Sequence, residues 1–152
     1  PPRLVSSAAS DVYKRQKGSC LCKKITFEIK NECRYSVFCH CQMCQASNAE
    51  FSSYTKVKKE NLNFKSKKTL KWFVSSKHYK RGFCSICGSS LFFQKKSSDD
   101  YISISTGTLN KNIPSIGHIF YKYKKSKINF SKLKKFPQSA QGYFDKFIYR
   151  IK

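Results

Sequence analysis

Seven of the eight cysteines in this chain fall into three closely spaced groups. The groups are Cys20 and Cys22, then Cys39, Cys41 and Cys44, then Cys84 and Cys87, whereas Cys33 stands apart from them. Such spacings are typical of zinc sites, in which each thiolate supplies one ligand. Disulfides are the alternative, but the sequence shows no secretory signal and is long enough to fold without them. We therefore expect these cysteines to bind metal.

Two of the groups have local geometry that suits a single shared ion. When Cys20 and Cys22 lie on a strand, residues i and i+2 project from one face, so both sulfurs can reach the same ion. The segment from Cys84 to Cys87 is followed by Gly88, which tolerates the positive φ that ends a tight metal-binding turn. Together these two pairs supply the four ligands of a closed, structural zinc site.

The middle group, Cys39, Cys41 and Cys44, supplies three thiolates and leaves one tetrahedral position open. Three protein ligands with one vacancy are typical of a catalytic zinc, so we expect a second zinc per chain at this group. Alternatively, Cys33 or His40 fills the fourth position and both sites are structural, or the group is only a loop knuckle. In an extended segment the His40 ring points away from its cysteine neighbours, which disfavours it as a ligand.

Short strands must position these groups. Residues Lys24 to Lys30 alternate apolar and polar, which predicts a half-buried strand with Ile25, Phe27 and Ile29 on one face. Further strands are predicted at Leu70 to Ser75, Ser90 to Gln94, Tyr101 to Thr106 and His118 to Tyr123. Only the segments Cys44 to Tyr54 and Gln138 to Ile151 could hold short helices. The sequence predicts a single, mainly β domain without internal repeats.

The composition of the chain limits the classes of protein to which it can belong. The chain has 152 residues, 31 Lys plus Arg against 8 Asp plus Glu, a net charge of +23, and 15% aromatic residues. The length suits one domain, and the aromatic content requires a core, which excludes a disordered polycation. No run approaches the about 18 to 20 apolar residues of a membrane span, so we expect no membrane partner and a cytoplasmic location.

Three segments are expected along the chain. Residues 1–16 are rich in Ser and Ala, lack an apolar core, and resemble translated sequencing-adapter read-through, so we expect a non-native or disordered leader there. Residues 17–137 are expected to form the zinc-binding domain. Residues 138–152 are expected to form a C-terminal tail that packs on the domain or extends it.

The cysteine motifs together resemble those of one family. The segments Gly18-Ser19-Cys20-Leu21-Cys22, Cys39-His40-Cys41-Gln42-Met43-Cys44 and Arg81-Gly82-Phe83-Cys84-Ser85-Ile86-Cys87-Gly88 look like the glutathione-dependent formaldehyde-activating enzyme (GFA) family, which includes centromere protein V. Further similar segments are Ser90 to Phe93, Thr106 to Leu109 and His118 to Phe120. The resemblance implies the Mss4-like zinc-binding β fold of short antiparallel strands, with a four-cysteine and a three-cysteine site.

The same resemblance implies a carbon–sulfur lyase that acts on the adduct of glutathione, or a similar thiol, with formaldehyde or another small aldehyde. The open zinc at Cys39, Cys41 and Cys44 would be catalytic and could take the glutathione sulfur as a thiolate. Glutathione is anionic, so a basic domain would attract it. The oligomeric state is not indicated by the sequence.

Several positions depart from the family pattern or support another interpretation. Lys23 and Asn48 stand where glycine is common, and because Asn tolerates positive φ we expect Asn48 to preserve a turn. Downstream of His118 the chain has no clear match to the Lys and Trp pair that is usual in the family. The resemblance therefore implies the substrate less firmly than it implies the metal sites. Arg81, beside the Cys84 knuckle, is expected to order that loop.

The alternative function is a non-catalytic zinc module that binds nucleic acid or a protein partner through a lysine-rich surface. Its basic residues are Lys56, Lys58, Lys59, Lys65, Lys67, Lys68, Lys71, Lys122, Lys124, Lys125, Lys127, Lys132, Lys134 and Lys135, with Tyr121, Tyr123 and Phe130 interleaved. Aromatic rings beside cations can stack bases while lysines contact phosphates. A solvated strand face and AT-rich coding produce the same pattern, so we weigh this function below the enzyme.

Overall fold

The computed structural model describes residues 15–31, 33–97 and 100–125, which form two β-sheets and one short helix. The strands are β1 (Gln16–Ser19), β2 (Ile25–Ile29), β3 (Ser36–Cys39), β4 (Ser52–Lys58), β5 (Leu62–Lys67), β6 (Leu70–Val74), β7 (Tyr79–Cys84), β8 (Ser90–Lys95), β9 (Tyr101–Ser105) and β10 (Ser115–Ile119). Helix α1 (Gln42–Asn48) lies between β3 and β4, and 3₁₀ turns occupy Lys59–Asn61, Thr106–Thr108 and Tyr121–Tyr123.

The strands form a three-stranded sheet in the order β1-β2-β5 and a seven-stranded sheet in the order β10-β3-β4-β9-β8-β7-β6. Among the described strands every neighbouring pair is antiparallel except β10 with β3, which is parallel. The predicted mainly β class is confirmed. The parallel pair departs from the expectation that all strands are antiparallel. A long connection leads the chain back to the sheet edge at β10, where β10 runs parallel to β3.

The core lies between the two sheets. The predicted apolar face of β2 is confirmed, since Ile25, Phe27 and Ile29 are all buried. The Phe27 ring from the small sheet lies 5.2 Å, centroid to centroid, from the ring of Phe92 on β8 of the large sheet. Burying a side chain of this size contributes about 1.5–3 kcal/mol, so this contact is a main link between the sheets.

Four predicted strands form close to their predicted bounds, as β2, β6, β8 and β9. The strand predicted from His118 to Tyr123 is wrong in position, because β10 ends at Ile119. Phe120 adopts a left-handed φ of 55°, which breaks the strand and leads into a 3₁₀ turn. The aromatic run that suggested a strand therefore belongs largely to a turn.

The helix predicted within Cys44 to Tyr54 is shorter and begins earlier than expected. Helix α1 ends at Asn48 because Ala49 has a φ of 69°. The positive φ expected at Asn48 therefore falls on Ala49, and the segment from Ser52 forms β4 instead of helix. The part of the chain that the structure describes contains no helix with the length and apolar character to cross a bilayer.

The first strand begins one residue before the expected start of the domain. Gln16 is buried, begins β1, and pairs with Ile29 of β2. The strand ladder with β2 thus draws Gln16 into the domain, although its own sequence context is not apolar. Residues 1–14 and 126–152, which include the rest of the expected leader, the end of the expected domain and the C-terminal tail with its predicted helix, lie outside the described residues.

Gly18 on β1 faces the Phe27 ring so closely that a methyl group at Gly18 would overlap it. Phe27 is buried against Phe64 and Phe92 and cannot swing away. We expect Gly18→Ala to lower the free energy of unfolding by about 1–3 kcal/mol, measured by urea denaturation. Gly107→Ala is the matched control, because nothing lies within 4 Å of its added methyl group, and it should change stability by less than about 0.5 kcal/mol. Equal losses of stability in Gly18→Ala and Gly107→Ala would contradict the close packing of Gly18 against Phe27.

Candidate metal centres

The first cysteine cluster joins the two sheets at one end of the core. The sulfurs of Cys20 and Cys22, from the β1–β2 connection, and those of Cys84 and Cys87, from the β7–β8 turn, all lie within 4.8 Å of one another. None forms a disulfide. The separations of 3.5 Å for Cys20–Cys22 and 3.7 Å for Cys22–Cys84 far exceed the about 2.05 Å of a disulfide bond. The structure thus brings together the four residues that sequence analysis grouped.

Tight backbone turns hold this cluster. Lys23, at a position where the family commonly has glycine, adopts a left-handed φ of 60°, and its amide donates to the Cys20 carbonyl at 3.0 Å. Gly88 has a φ of 72°, as predicted, and its amide donates to the Cys84 carbonyl at 2.9 Å. Each turn folds the chain back so that the sulfurs converge.

Neighbouring hydroxyls favour the thiolate form of two sulfurs in this first cluster. The Ser89 hydroxyl, whose oxygen lies 3.2 Å from the Cys87 sulfur, lowers the pKa of Cys87 to about 5, together with the Ser89 backbone amide. The Thr69 hydroxyl, 3.2 Å from the Cys84 sulfur, is the main cause that lowers the pKa of Cys84. Thiolates are the form that binds metal, so these two sulfurs are poised to accept a cation.

The second cluster sits where β3 leads into α1. Cys39 ends the strand, Cys41 is the N-cap residue of the helix, and Cys44 lies in its first turn. The Cys41 sulfur accepts a hydrogen bond from the Cys44 backbone amide at 3.4 Å. The three sulfurs lie within 4.8 Å of one another, so the strand-to-helix transition brings the predicted trio together. This cluster could hold a metal ion with three thiolates.

The structure brings neither alternative fourth ligand to the trio. The His40 ring forms a hydrogen bond with His118, with 2.8 Å between Nε2 and Nδ1, and contributes no atom to the cluster. Its orientation away from the cysteines agrees with the expectation for an extended segment. Cys33 is buried in the core between the sheets and is likewise not part of the cluster.

Arg81 on β7 contacts the second cluster, not the Cys84 knuckle that we expected it to order. Side chains alternate along a strand, so Arg81 and Cys84 project from opposite faces of β7. The Arg81 guanidinium donates to the Cys44 sulfur at 3.6 Å and to the Tyr54 hydroxyl at 3.2 Å. It lies 4.8 Å above the centre of the Phe93 ring. Sequence reasoning missed this contact because it joins residues 37 positions apart.

Hydrogen bonds within the trio shift the pKa values of Cys44 and Cys39 in opposite directions. The hydrogen bond with Cys39 is the main cause that lowers the pKa of Cys44 to about 5, and Ser52, Arg81 and Cys41 add to it against the opposing effect of burial. The same hydrogen bond with Cys44, followed by burial, raises the pKa of Cys39. Cys44 is therefore the first thiolate of this centre.

A hydrogen-bonded network ties the segment after β10 to the second cluster. The Gln45 side-chain amide on α1 donates to the backbone carbonyls of His40 and Tyr123, the latter at 2.7 Å. Burial, and then the neighbouring His118, lower the pKa of His40. Nothing in the sequence spacing predicts these contacts, although His40 and His118 both fall within motifs that resemble the family.

A cleft of about 290 Å³ includes Arg81, which contacts the Cys44 sulfur of the second cluster. Its lining residues are Ser47, Phe73, Arg81, Phe83, Gly88 and Ser90. A larger groove of about 570 Å³ runs beside the first cluster, at Cys20, Leu21 and Phe27. Only the smaller cleft reaches Arg81, which touches a sulfur of the three-cysteine cluster, so it is the better candidate for substrate access there.

Comparisons with known proteins agree with the motifs. Residues 15–123 match the model of the family described as glutathione-dependent formaldehyde-activating enzyme, which confirms the resemblance. The crystal structure of a Rhodobacter sphaeroides protein is similar, with a TM-score of 0.54 and 18% identity, over 65% of this chain and 98% of that chain. At that identity the likeness concerns the fold alone. No curated protein matches the sequence.

The pKa values of the clusters predict how many protons metal binding releases. Loading metal-free protein with zinc at pH 7 should release at least two protons fewer than the number of ligating thiols, because Cys44 and Cys87, with pKa values of about 5, are already thiolates and the pKa of Cys84 is also lowered. A zinc titration in weak buffer with a pH indicator measures this number. Ser89→Ala removes the hydroxyl that lowers the pKa of Cys87 and should increase the release. Release of one proton for every ligating thiol in the unaltered protein would contradict the assignment of Cys44 and Cys87 as thiolates.

Proposed function

The chain belongs to the glutathione-dependent formaldehyde-activating enzyme family, and from that premise we propose that it is a zinc-dependent carbon–sulfur lyase. It acts on the adduct of glutathione, or a similar thiol, with formaldehyde or another small aldehyde. The observation that carries the proposal is the division of seven thiols into a cluster of four and a cluster of three. Four thiols close a tetrahedral zinc site, whereas three leave a position for a substrate.

The donor set suits zinc at both clusters. Soft thiolate ligands select zinc over magnesium or calcium, and zinc sites with four cysteines are a common structural type. In our proposal Cys20, Cys22, Cys84 and Cys87 hold a structural zinc, and a second zinc is held by the trio. The structural site stabilises the fold because it joins the small sheet to β7 of the large sheet.

The trio Cys39, Cys41 and Cys44 is the catalytic centre in this proposal. A zinc ion held there would supply an open coordination position that takes the substrate sulfur as a thiolate. In the reaction a carbon–sulfur bond forms between the thiol and the aldehyde carbon, the carbonyl π bond breaks, and the proton lost from sulfur ends on oxygen. The product with glutathione and formaldehyde is S-hydroxymethylglutathione.

The protein increases the reaction rate mainly by positioning the substrate. Three thiolates donate heavily to a metal, which weakens it as a Lewis acid toward the carbonyl oxygen, so orientation of the sulfur beside the aldehyde supplies more of the rate gain. In this proposal the substrate approaches the centre through the cleft at Arg81 and Phe83. The net charge of +23 attracts an anionic thiol. A cytoplasmic location fits, since glutathione is abundant there and cysteines stay reduced.

Binding of nucleic acid through the lysine-rich surface stays a prediction. Lys56 lies 4.7 Å over the Tyr101 ring, and Lys65 pairs with Glu28 at 3.5 Å. Such contacts are typical of a solvated strand face and stabilise by at most about 1 kcal/mol. They favour neither phosphate contacts nor base stacking, so the enzymatic function is the one we propose.

Elemental analysis should find two zinc ions per chain in the purified protein. Cys84→Ser should lose the structural zinc and lower the melting temperature by about 10 °C or more. The reason is that the metal link between the two sheets, which contributes several kcal/mol to the free energy of unfolding, is lost. Cys41→Ser should lose only the second zinc and keep a near-normal melting temperature. Cys33→Ala, at the cysteine outside both clusters, is the control and should keep both ions. A greater loss of stability in Cys41→Ser than in Cys84→Ser would contradict the division of roles.

The wild-type protein should form S-hydroxymethylglutathione from glutathione and formaldehyde faster than the uncatalysed reaction. Exchange spectroscopy by NMR at equilibrium measures both rates. Cys41→Ser should reduce the rate to the background, because it removes a ligand of the open site, whereas Cys33→Ala should keep it. Equal rates for the wild type and Cys41→Ser would refute the proposed reaction.

A further inference from the structure

We propose that Arg81 is a positioning residue whose fixed positive charge makes the three-cysteine centre prefer an anionic thiolate as its fourth ligand. This inference rests on the proposed function, because it requires a metal at the trio with an open position. It concerns a residue of this chain that lies outside the cysteine clusters but touches one of their sulfurs. Its chemical consequence is a preference for thiols over neutral donors.

The surroundings of Arg81 indicate that the sulfur cluster is its counter-charge. Arg81 is only 6% exposed, and a buried guanidinium requires a partner of opposite charge or a full set of acceptors. Within the described part of the chain, its side-chain hydrogen bonds go to the Tyr54 hydroxyl at 3.2 Å and to the Cys44 sulfur at 3.6 Å. Among the described residues it forms no ion pair with a carboxylate. In the part of the chain that the structure describes, the negative charge that it faces is that of the cysteines.

Packing fixes the guanidinium in this place. Its central carbon lies 4.8 Å from the centre of the Phe93 ring on β8, and Tyr54 on β4 and Tyr79 on β7 both stack against that ring. A cation over an aromatic face is held by electrostatic attraction as well as by contact. The charge is thus built into the sheet beside the trio and does not depend on a mobile surface side chain.

Counting charges shows what Arg81 changes. Three thiolates and a divalent metal carry one net negative charge, and a fourth thiolate raises it to two. The positive charge of Arg81 reduces each of these totals by one. In a buried site with a low dielectric constant, unbalanced charge is costly, and that cost falls on an incoming anion but not on a neutral ligand. Without Arg81 the centre should therefore bind thiolates less well than it does now.

Arg81 also lines the cleft of about 290 Å³. The aromatic rings of Phe73 and Phe83 form apolar parts of this cleft, and Ser47 and Ser90 add hydroxyl groups. One side chain thus contacts both the access route and a ligand sulfur. An anionic thiol that enters this cleft meets the positive charge of Arg81.

Lys80 offers a matched control on the same strand. It precedes Arg81 directly, so the two side chains project from opposite faces of β7, and its ammonium lies 4.8 Å over the Trp72 ring. Arg81→Gln and Lys80→Gln each remove one positive charge from β7 and create the same residue type. Only Arg81→Gln removes the charge at the trio, and the new amide retains hydrogen-bonding capacity toward Tyr54.

The test uses protein loaded with cobalt(II), whose visible spectrum reports its ligands. The four-cysteine centre has no open position, so spectral changes on addition of a ligand arise from the trio. We expect Arg81→Gln to weaken glutathione binding about 10- to 100-fold and to change imidazole binding by less than about threefold. Lys80→Gln should bind both ligands as the wild type does. Arg81→Lys keeps the charge and should keep the preference for glutathione over imidazole.

The outcomes separate this inference from the proposed function. A wild-type spectrum that glutathione does not change would overturn both, because the fourth position would not be open. A normal wild-type response with equal glutathione affinity in Arg81→Gln would overturn this inference alone. Equal weakening of glutathione and imidazole would also overturn it, since the role would then be only structural. If Arg81→Gln does not fold, loss of the glutathione preference in Arg81→Lys would overturn it as well.

Discussion

The convergence of four cysteine sulfurs between the β1–β2 connection and the β7–β8 turn is the constraint on which the rest of the structure depends. It fixes the small sheet against the large one beside the core that contains Phe27 and Phe92. It also fixes the end of β7, because Cys84 is the last residue of that strand. Since side chains alternate along β7, the strand that holds Cys84 on its inner face holds Arg81 on its outer face, beside the second cluster.

The two clusters are thereby connected through one strand, and their different surroundings agree with different tasks. The first is formed by two tight turns whose left-handed residues, Lys23 and Gly88, bring paired sulfurs together. The second is formed by a strand-to-helix transition and is linked to a cleft through Arg81. A closed set of four ligands suits a structural ion, whereas three ligands beside a buried cation that lines a cleft suit the exchange of a thiolate.

The sequence predicted the features that depend on local spacing and, by counting ligands, the union of Cys20 and Cys22 with Cys84 and Cys87, but it missed other long-range contacts. The cysteine groups, the positive φ of Gly88 and the buried face of β2 all follow from residues close together in the chain. The contact of Arg81 with Cys44 does not, because β7 gave no apolar alternation and its pairing with β8 was not foreseen. Similarly, Gln16 joins the domain only through its pairing with β2, and α1 ends where Ala49 takes the positive φ that was expected of Asn48.

The division of seven cysteines into a closed set and an open set is the central claim, and X-ray absorption at the zinc edge tests it most directly. The account predicts an average of about 3.5 sulfur ligands per zinc at about 2.3 Å, with a small contribution from oxygen or nitrogen at about 2.0–2.2 Å. Glutathione should raise the average to about four sulfurs and remove the light-atom contribution. An average of four sulfurs before glutathione, or a spectrum that glutathione leaves unchanged, would contradict it.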